Sequence, residues 1–385
     1  MRERQLTDCV DIVGSSCKPF EGNRRYISTG AVATDHIDES DVEIVDYKSR
    51  PSRADLIVEP GTLLFAKMQG TKKTLYVDKE KAENIYSTGF FALKAKSGVI
   101  STRCLYHMLG STSFLTQKDK NCSGATQKAI TNAGLKKIRV SIPDYQLQEA
   151  IADQLDKISS VIQMRRSELQ KLDDLVKARF VEMFGDEQNP FGWETVKVEN
   201  VADVQVGVVI KPAQYYTDKN HGVKTFRSLN IGSMYIKDAD WVYFTEEGNT
   251  KNSKSILKEN DLLVVRSGAP GTACVVTSEY AGCNAVDIII AHPNIEKVNP
   301  YYLCQYTNLP HGKKQIDEGT GGAAQQHFNV GKYNKLKLML PPLEMQNDFE
   351  RFLKQVDKSK FVESIHVLKL IKEAIAKEVS HDRIR

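Results

Sequence analysis

A shift of 198 residues lays one half of this chain over the other. Gly124-Ala125-Thr126-Gln127-Lys128-Ala129-Ile130 meets Gly322-Ala323-Ala324-Gln325-Gln326-His327-Phe328, Leu135 to Pro143 meets Tyr333 to Pro341, and Leu147-Gln148 meets Met345-Gln346. Six identities (Gly, Ala, Gln, Lys, Pro and a second Gln) keep one register, and most apolar positions answer apolar positions. The period is far too long for a solenoid. Upstream the match continues with a one-residue drift, Glu59 to Lys67 pairing with Lys258 to Arg266. Each stretch reads as a turn, a short buried strand ending in a cation, and a Gly-containing loop, Met68 to Lys73 in the first half and Ser267 to Thr272 in the second. Two unrelated sheets matched by chance would not hold so nearly fixed a register, so the chain reads as a duplication. Its 385 residues suit two or three domains rather than one.

After Pro143, apolar residues fall at Ile151, Leu155, Ile158, Ile162, Leu169, Leu172, Val176, Phe180 and Met183, in steps of three and four with one place skipped at Arg165. That is a heptad-like stripe on one long helix, with Asp153, Asp156, Arg166, Lys171 and Asp174 off the stripe. Pro143 and Gly185 bracket it, a breaker before the start and a permissive residue after the end. After Pro341-Pro342 the pattern returns at Phe349, Leu353, Val356, Ile365, Leu368, Ile371, Ile375 and Val379. Two apolar stripes of this length are unfavourable unless buried, and antiparallel packing against each other is the simplest remedy. The expected organisation is a compact domain over 1–142, a long helix over 143–186, a second compact domain over 187–340 and a long helix over 341–385. Within the domains, β-rich runs such as Asp41 to Val45, Leu63 to Phe65, Trp241 to Phe244 and Val286 to Ile290 are separated by Gly, Asn, Asp and Pro. Helical stretches near Thr102 to Gln117 and Pro300 to Gln315 occupy matching places. The expected class is α+β: two duplicated α/β domains joined by two long antiparallel helices about a pseudo-two-fold axis.

Composition removes several alternatives. With 41% hydrophobic and 26% charged residues the chain has material for a core, which excludes disordered and fibrous classes. No run approaches the ~18 apolar residues of a membrane span, and the polar N-terminus Met1 to Asp8 has no apolar signal core. Seven cysteines at scattered positions, without a C-x-x-C, write neither a disulfide framework nor a zinc knuckle and suit a reducing cytoplasm. A net charge of +4 neither demands nor excludes nucleic acid, because phosphate contacts need only a local basic surface.

Catalytic motifs are missing. There is no Walker loop, no G-x-G-x-x-G after a strand and no H-E-x-x-H. Pro143-Asp144 is followed by no Asp-x-Lys or Glu-x-Lys, and an acid there begins a helix more often than it binds magnesium. Leu340-Pro341-Pro342-Leu343 lacks the Asp or Asn and the aromatic residue of an amino-methyltransferase loop. Cys104 and His107, one helical turn apart, have no second pair to complete a metal site and read as structural.

What remains is a binding architecture. Candidate contacts to nucleic acid are Lys67, Gln69, Lys72 and Lys73 on the first Gly loop, Thr126, Gln127 and Lys128 on the second loop of that half, and Arg227, Asn230, Arg266, Ser267, Gln325 and Gln326 in the other half. Gln, Asn, Arg and Lys can read base edges or hold phosphates. Each alone is weak, since such side chains on loops are usually just solvated; the duplication gives them weight. Two similar reading heads held apart by rigid helices would match a duplex whose half-sites are separated by unread base pairs. The alternative is a duplicated protein-interaction scaffold, and a self-contained nuclease-methyltransferase is disfavoured by the missing motifs.

Leu175 to Asp186 followed by Gly192-Trp193 resembles the end of the central helix in specificity subunits of Type I restriction-modification systems. Ile142-Pro143 with Leu147-Gln148, and Leu340-Pro341-Pro342 with Met345-Gln346, resemble the two helix starts of that family, and Asp261 to Gly268 resembles part of its target-recognition domain. Phe65 to Gly70 is a poorer match than its second-half counterpart. The resemblance implies a non-enzymatic subunit that makes sequence-specific contacts to double-stranded DNA and recruits methyltransferase subunits and, in the nuclease form, motor subunits. It implies no cofactor on this chain, since the partners would bring S-adenosylmethionine, ATP and magnesium.

Overall fold

The computed structural model describes residues 2–125, 127–319 and 328–359, which divide into two compact units, one reaching Gln163 and the other beginning at Met164. The division falls inside a helix of 40 residues, Tyr145–Phe184.

The first unit is built on a four-stranded sheet in the order Val10–Ile12, Phe90–Ala95, Thr62–Ala66, Thr74–Val77. Thr62–Ala66 is buried throughout because both faces are covered: Leu63 and Phe65 enter one apolar cluster, Leu64 and Ala66 another. Side chains alternate across a strand, so a strand covered on both faces reads as an unbroken apolar run, as expected here. A second sheet of five strands includes a parallel pair in which Tyr26 faces Ile85 and Ile27 faces Tyr86.

The second unit repeats the design. Its four-stranded sheet runs Ala202–Val206, Ile288–Pro293, Leu262–Val265, Ala273–Val275, the same order of corresponding strands. Its second sheet has the matching parallel pair, Thr225 facing Asn284 and Phe226 facing Ala285. The duplication extends to single hydrogen bonds. The Gln117 amide donates to Arg139 O at 2.8 Å while Arg139 N donates back at 2.9 Å; Gln315 and Lys337 make the same exchange at 2.9 Å each way. Leu6 N donates to Ile138 O and Val198 N to Leu336 O, both at 3.0 Å. Two α+β domains of one design with a long helix between them are the expected fold class.

Two local expectations need correction. Each helical stretch beside the sheet is a pair of helices, Thr102–Gly110 with Thr112–Lys120 and Pro300–Asn308 with Pro310–Gly319. Ser111 breaks the first because its hydroxyl caps the next helix, accepting from Phe114 N at 3.2 Å; Pro310 starts the second, where a missing N–H costs nothing. The Val286-to-Ile290 strand begins at Ile288 instead, because Asp287 sits at φ 51°, outside extended backbone.

In the second unit the end of the long helix packs against residues 343–359, which are helical. Phe180 and Phe184 lie 5.2 and 5.7 Å, centroid to centroid, from the Phe349 ring, with Tyr302 stacked on Phe180 at 5.4 Å. Leu172, Val176, Phe180 and Phe184 form the inward face, with Leu353 and Val356 in the same core. The buried residue at the helix end is Phe184, with Met183 only half covered. Of the second apolar stripe, Ile365, Leu368, Ile371, Ile375 and Val379 lie outside the described residues.

Candidate nucleic-acid interface

In the first domain the strand Thr62–Ala66 delivers Lys67 to the rim of the sheet. Lys67 N donates to Gly89 O and Lys67 O accepts from Ile130 N, both at 2.9 Å, so both backbone groups are spent. The Lys67 ammonium donates to Thr88 O at 2.8 Å and sits 4.6 Å from the Phe91 ring centroid. Burial lowers its pKa from the ordinary lysine value. Lys67 therefore braces the rim.

The next four residues make a tight turn. Thr71 N reaches Met68 O at 3.4 Å, and Gly70 takes the left-handed conformation (φ 77°) that the third position of such a turn requires. Gln69 is thereby carried at the exposed corner. Gln69 N donates to Lys128 O at 2.9 Å, which joins the two loops of this half into one surface. Lys72, Gln127 and Lys128 are exposed on it, whereas Lys73 is tied down, its ammonium donating to Thr29 O at 2.7 Å. Thr126 lies outside the described residues.

The second domain repeats the frame with other side chains. Phe328 N donates to Arg266 O at 3.0 Å, the counterpart of the bond between Ile130 and Lys67. Arg266 is ion-paired with Asp287 and its Nε donates to Phe328 O at 3.3 Å, leaving the side chain 17% exposed. Ser267 is half-buried beside it. Asn230 is fully buried, accepting from Arg227 N at 2.9 Å and donating to Ala239 O at 2.7 Å, so it shapes the 227–239 loop and presents nothing to a ligand. The Arg227 guanidinium is drawn into the same loop, donating to Asp240 O at 2.5 Å. Gln325 and Gln326 lie outside the described residues.

Three contributors escaped the sequence reading. Asp119 accepts from Gly70 N at 3.0 Å and holds the turn from below, and Lys118 lies beside it, fully buried. In the second domain Asp287 N donates to Val208 O at 3.2 Å, bringing the 207–211 loop beside the partner of Arg266, with Ile210 80% exposed at its tip. His107, read as structural, has a partner from elsewhere in the unit: its Nε2 lies 2.6 Å from Asp156 Oδ1 on the long helix.

Comparisons with known proteins bear on this geometry. Residues 6–173 and 190–372 match the family described as Type I restriction modification DNA specificity domain. The chain is 24% identical over 165 residues to the Type I restriction enzyme HindI specificity subunit of Haemophilus influenzae, a match covering 42% of this chain and 35% of that protein. It is 19% identical over 278 residues to the EcoBI specificity subunit of Escherichia coli, covering 66% and 58%, and 20% identical over 294 residues to the MjaVIII specificity subunit of Methanocaldococcus jannaschii, covering 71% and 68%. The matched stretch thus spans 35% to 68% of the length of these relatives. Among solved structures, the S subunit of a Type I restriction-modification system from M. genitalium aligns with TM-score 0.51 at 12% identity, over 97% of this chain and 94% of that one. A chain solved in work on complex assembly and conformational transition of the type I R-M system aligns with TM-score 0.51 at 17% identity, over 97% and 95%.

Proposed function

This chain belongs to the Type I restriction modification DNA specificity family, and from that premise we propose that it reads a bipartite duplex site, one half with each domain. The target-recognition domains are assigned to 1–142 and 187–340. The observation that carries the reading is the frame built twice: a strand buried on both faces ends in a cation whose carbonyl is tied to a second loop, at Lys67 with Ile130 and at Arg266 with Phe328. A buried strand cannot contact DNA, but it can hold two loops rigidly at its end. Rigidity matters because base contacts specify only if phosphate contacts and scaffold fix their register.

Within this reading the exposed Gln69, Lys72, Gln127 and Lys128 make the contacts of the first domain. Gln69 and Gln127 have the paired donor and acceptor that match an adenine edge, and Lys72 and Lys128 supply charge to phosphates or guanine. Lys67, Lys73, Arg227 and Asn230 serve by shaping the loops. Arg266 does both: Asp287 orients its guanidinium and part of it stays accessible. The chain itself performs no chemistry; methyltransferase subunits, and motor subunits where present, dock on it in the cytoplasm and bring their own cofactors. Among the described residues no helix is long and apolar enough to cross a membrane.

The test is selection of bound sequences from randomised duplexes, together with the salt dependence of binding. The expected outcome is a two-part motif with an unread spacer, and affinity that falls steeply with salt as counterions are released. Salt-insensitive binding to a protein, with no enriched motif, would favour the interaction-scaffold alternative.

A further inference from the structure

Lys118 is fully buried on the helix Thr112–Lys120, a position where a cation is costly unless its donors are satisfied. Its ammonium meets four acceptors. It donates to Met68 O at 2.9 Å, to Thr71 O at 2.8 Å and to Thr71 Oγ1 at 3.3 Å, and it lies 3.2 Å from Asp119 Oδ1. The same Asp119 oxygen accepts from Gly70 N at 3.0 Å. The buried lysine and its half-buried partner Asp119 therefore hold Met68, Gly70 and Thr71 by their backbones, leaving Gln69 as the one residue of the turn that they do not grip.

The other half of the chain shows that the fold does not need this cation. After the 198-residue shift the equivalent residue is Ile316, equally buried in the corresponding helix. Ile316 lies directly beneath Gly271, where an added Cβ would stand 2.7 Å from its Cδ1. That loop is fastened from a different helical position, Lys313 donating to Pro270 O at 2.5 Å. The same place in one architecture holds an apolar plug in one domain and a charged clamp in the other, so the clamp belongs to the loop it grips.

We propose that Lys118 is a positioning residue for base reading by the first domain: its buried ammonium fixes the Met68–Thr71 turn in the shape that presents Gln69 to DNA. The proposal rests on the DNA-reading function given above. It separates Lys118 from the exposed lysines of the same surface, because a buried ammonium orients a reader and touches no phosphate.

The test uses the full chain and a library of randomised duplexes, comparing wild type with Lys118→Met. The expected result is a two-part motif for wild type and, for the variant, loss of preference at one half by roughly tenfold or more, as for a lost base contact, with the other half kept. The slope of log affinity against log salt should be unchanged, because the number of neutralised phosphates is the same. An unchanged motif, or a slope reduced by about one phosphate contact, would overturn the assignment. Should Lys118→Met lose both halves through misfolding, Lys118→Ile decides the matter: it installs the side chain that fills the equivalent buried place at Ile316 and removes the ammonium, so weakening at the same single half supports the clamp and an intact motif refutes it. A wild-type chain that enriches no two-part motif would overturn the DNA-reading function and this proposal with it.

Discussion

Gln148 and Gln346 make the same two-sided hydrogen bond in the two units. The Gln148 carboxamide oxygen accepts from Ser101 N at 2.7 Å and its nitrogen donates to Pro143 O at 3.1 Å; Gln346 accepts from Asn299 N at 2.8 Å and donates to Pro341 O at 2.7 Å. Ser101 and Asn299 are themselves N-caps, of the helices Thr102–Gly110 and Pro300–Asn308. Each glutamine thus locks the cap of a domain helix to the proline ahead of the helix that follows it.

Both glutamine side chains are fully buried; removing Gln346 strands the buried Asn299 N–H and Pro341 carbonyl, and removing Gln148 strands the half-buried Ser101 N–H and Pro143 carbonyl together with Val99 O, to which it also donates at 2.9 Å. Gln148→Leu and Gln346→Leu should each cost about 2–4 kcal/mol, from the two or three backbone groups each leaves unmet. Each loss should be confined to its own domain, which domain-resolved hydrogen exchange would show. A loss shared equally between domains would mean that the helices transmit it.

A pH dependence follows from His311. Its ring is buried between Phe180 and Tyr306, with Nε2 3.0 Å from Gly185 O. Burial pushes its pKa below the ordinary 6.5, against smaller opposing effects of the Gly185 hydrogen bond, Glu187 and Asp186. A histidine whose folded pKa is depressed is held neutral, so the unfolded chain binds the proton more readily. Stability of the second domain should therefore be intact above pH 6.5 and fall as pH drops below it, by at most about 1.4 kcal/mol per pH unit from this group. Urea midpoints of that domain at pH 7.5 and 5.5 would show the decline, and His311→Gln should flatten it.

Much of this architecture was legible in the residues, and the failures have a common cause. Leu63 to Phe65 and Leu262 to Val265 announce themselves because a strand covered on both faces leaves no polar residue in the run. Leu172, Val176 and Phe180 do so by helical spacing. Side-chain role is another matter, since it depends on neighbours brought from elsewhere in the chain. Lys118 and Asn230 are polar residues near loops, and in sequence they look like Lys72 and Gln69; only tertiary packing buries the first pair and exposes the second. The frame of the site follows from local pattern, whereas the division into readers and braces does not.

Arg103 faces three carboxylates of the long helix, Glu149 at 3.0 Å, Asp153 at 2.7 Å and Asp156 at 2.5 Å, yet 42% of its side chain is exposed. Exposure limits what such pairs contribute, so Arg103→Ala should destabilise the first domain only slightly. The difference from wild type should shrink between 0.05 and 0.5 M salt, within the range where screening lengths fall to roughly the pair separation. A salt-independent loss would point instead to packing of the arginine stem. At the corresponding place in the second unit Lys354 lies 5.8 Å from the Tyr301 ring and, among the described residues, is ion-paired with Glu350 alone, at 2.6 Å, so Lys354→Ala should respond to salt in the same direction but less than Arg103→Ala, one carboxylate standing in place of three.

Arg266→Ala separates bracing from reading in the second domain. The substitution removes a guanidinium that holds Asp287, itself at φ 51°, and that donates to Phe328 O. Loss of a half-buried charge-assisted network should cost about 1–3 kcal/mol in stability of this domain. If the accessible part of the guanidinium also reads DNA, preference at the second half-site should fall and the first half-site should be untouched, because each loop frame is anchored within its own sheet. Asp287→Asn supplies the contrast: it weakens the brace and keeps the arginine. A deficit in Arg266→Ala that Asp287→Asn reproduces in full would mean that Arg266 acts only through the shape of the loop. A base preference lost with Arg266→Ala and kept with Asp287→Asn would make it a reader. Equal losses at both half-sites, measured on duplexes with one half scrambled at a time, would refute independent reading by the two domains.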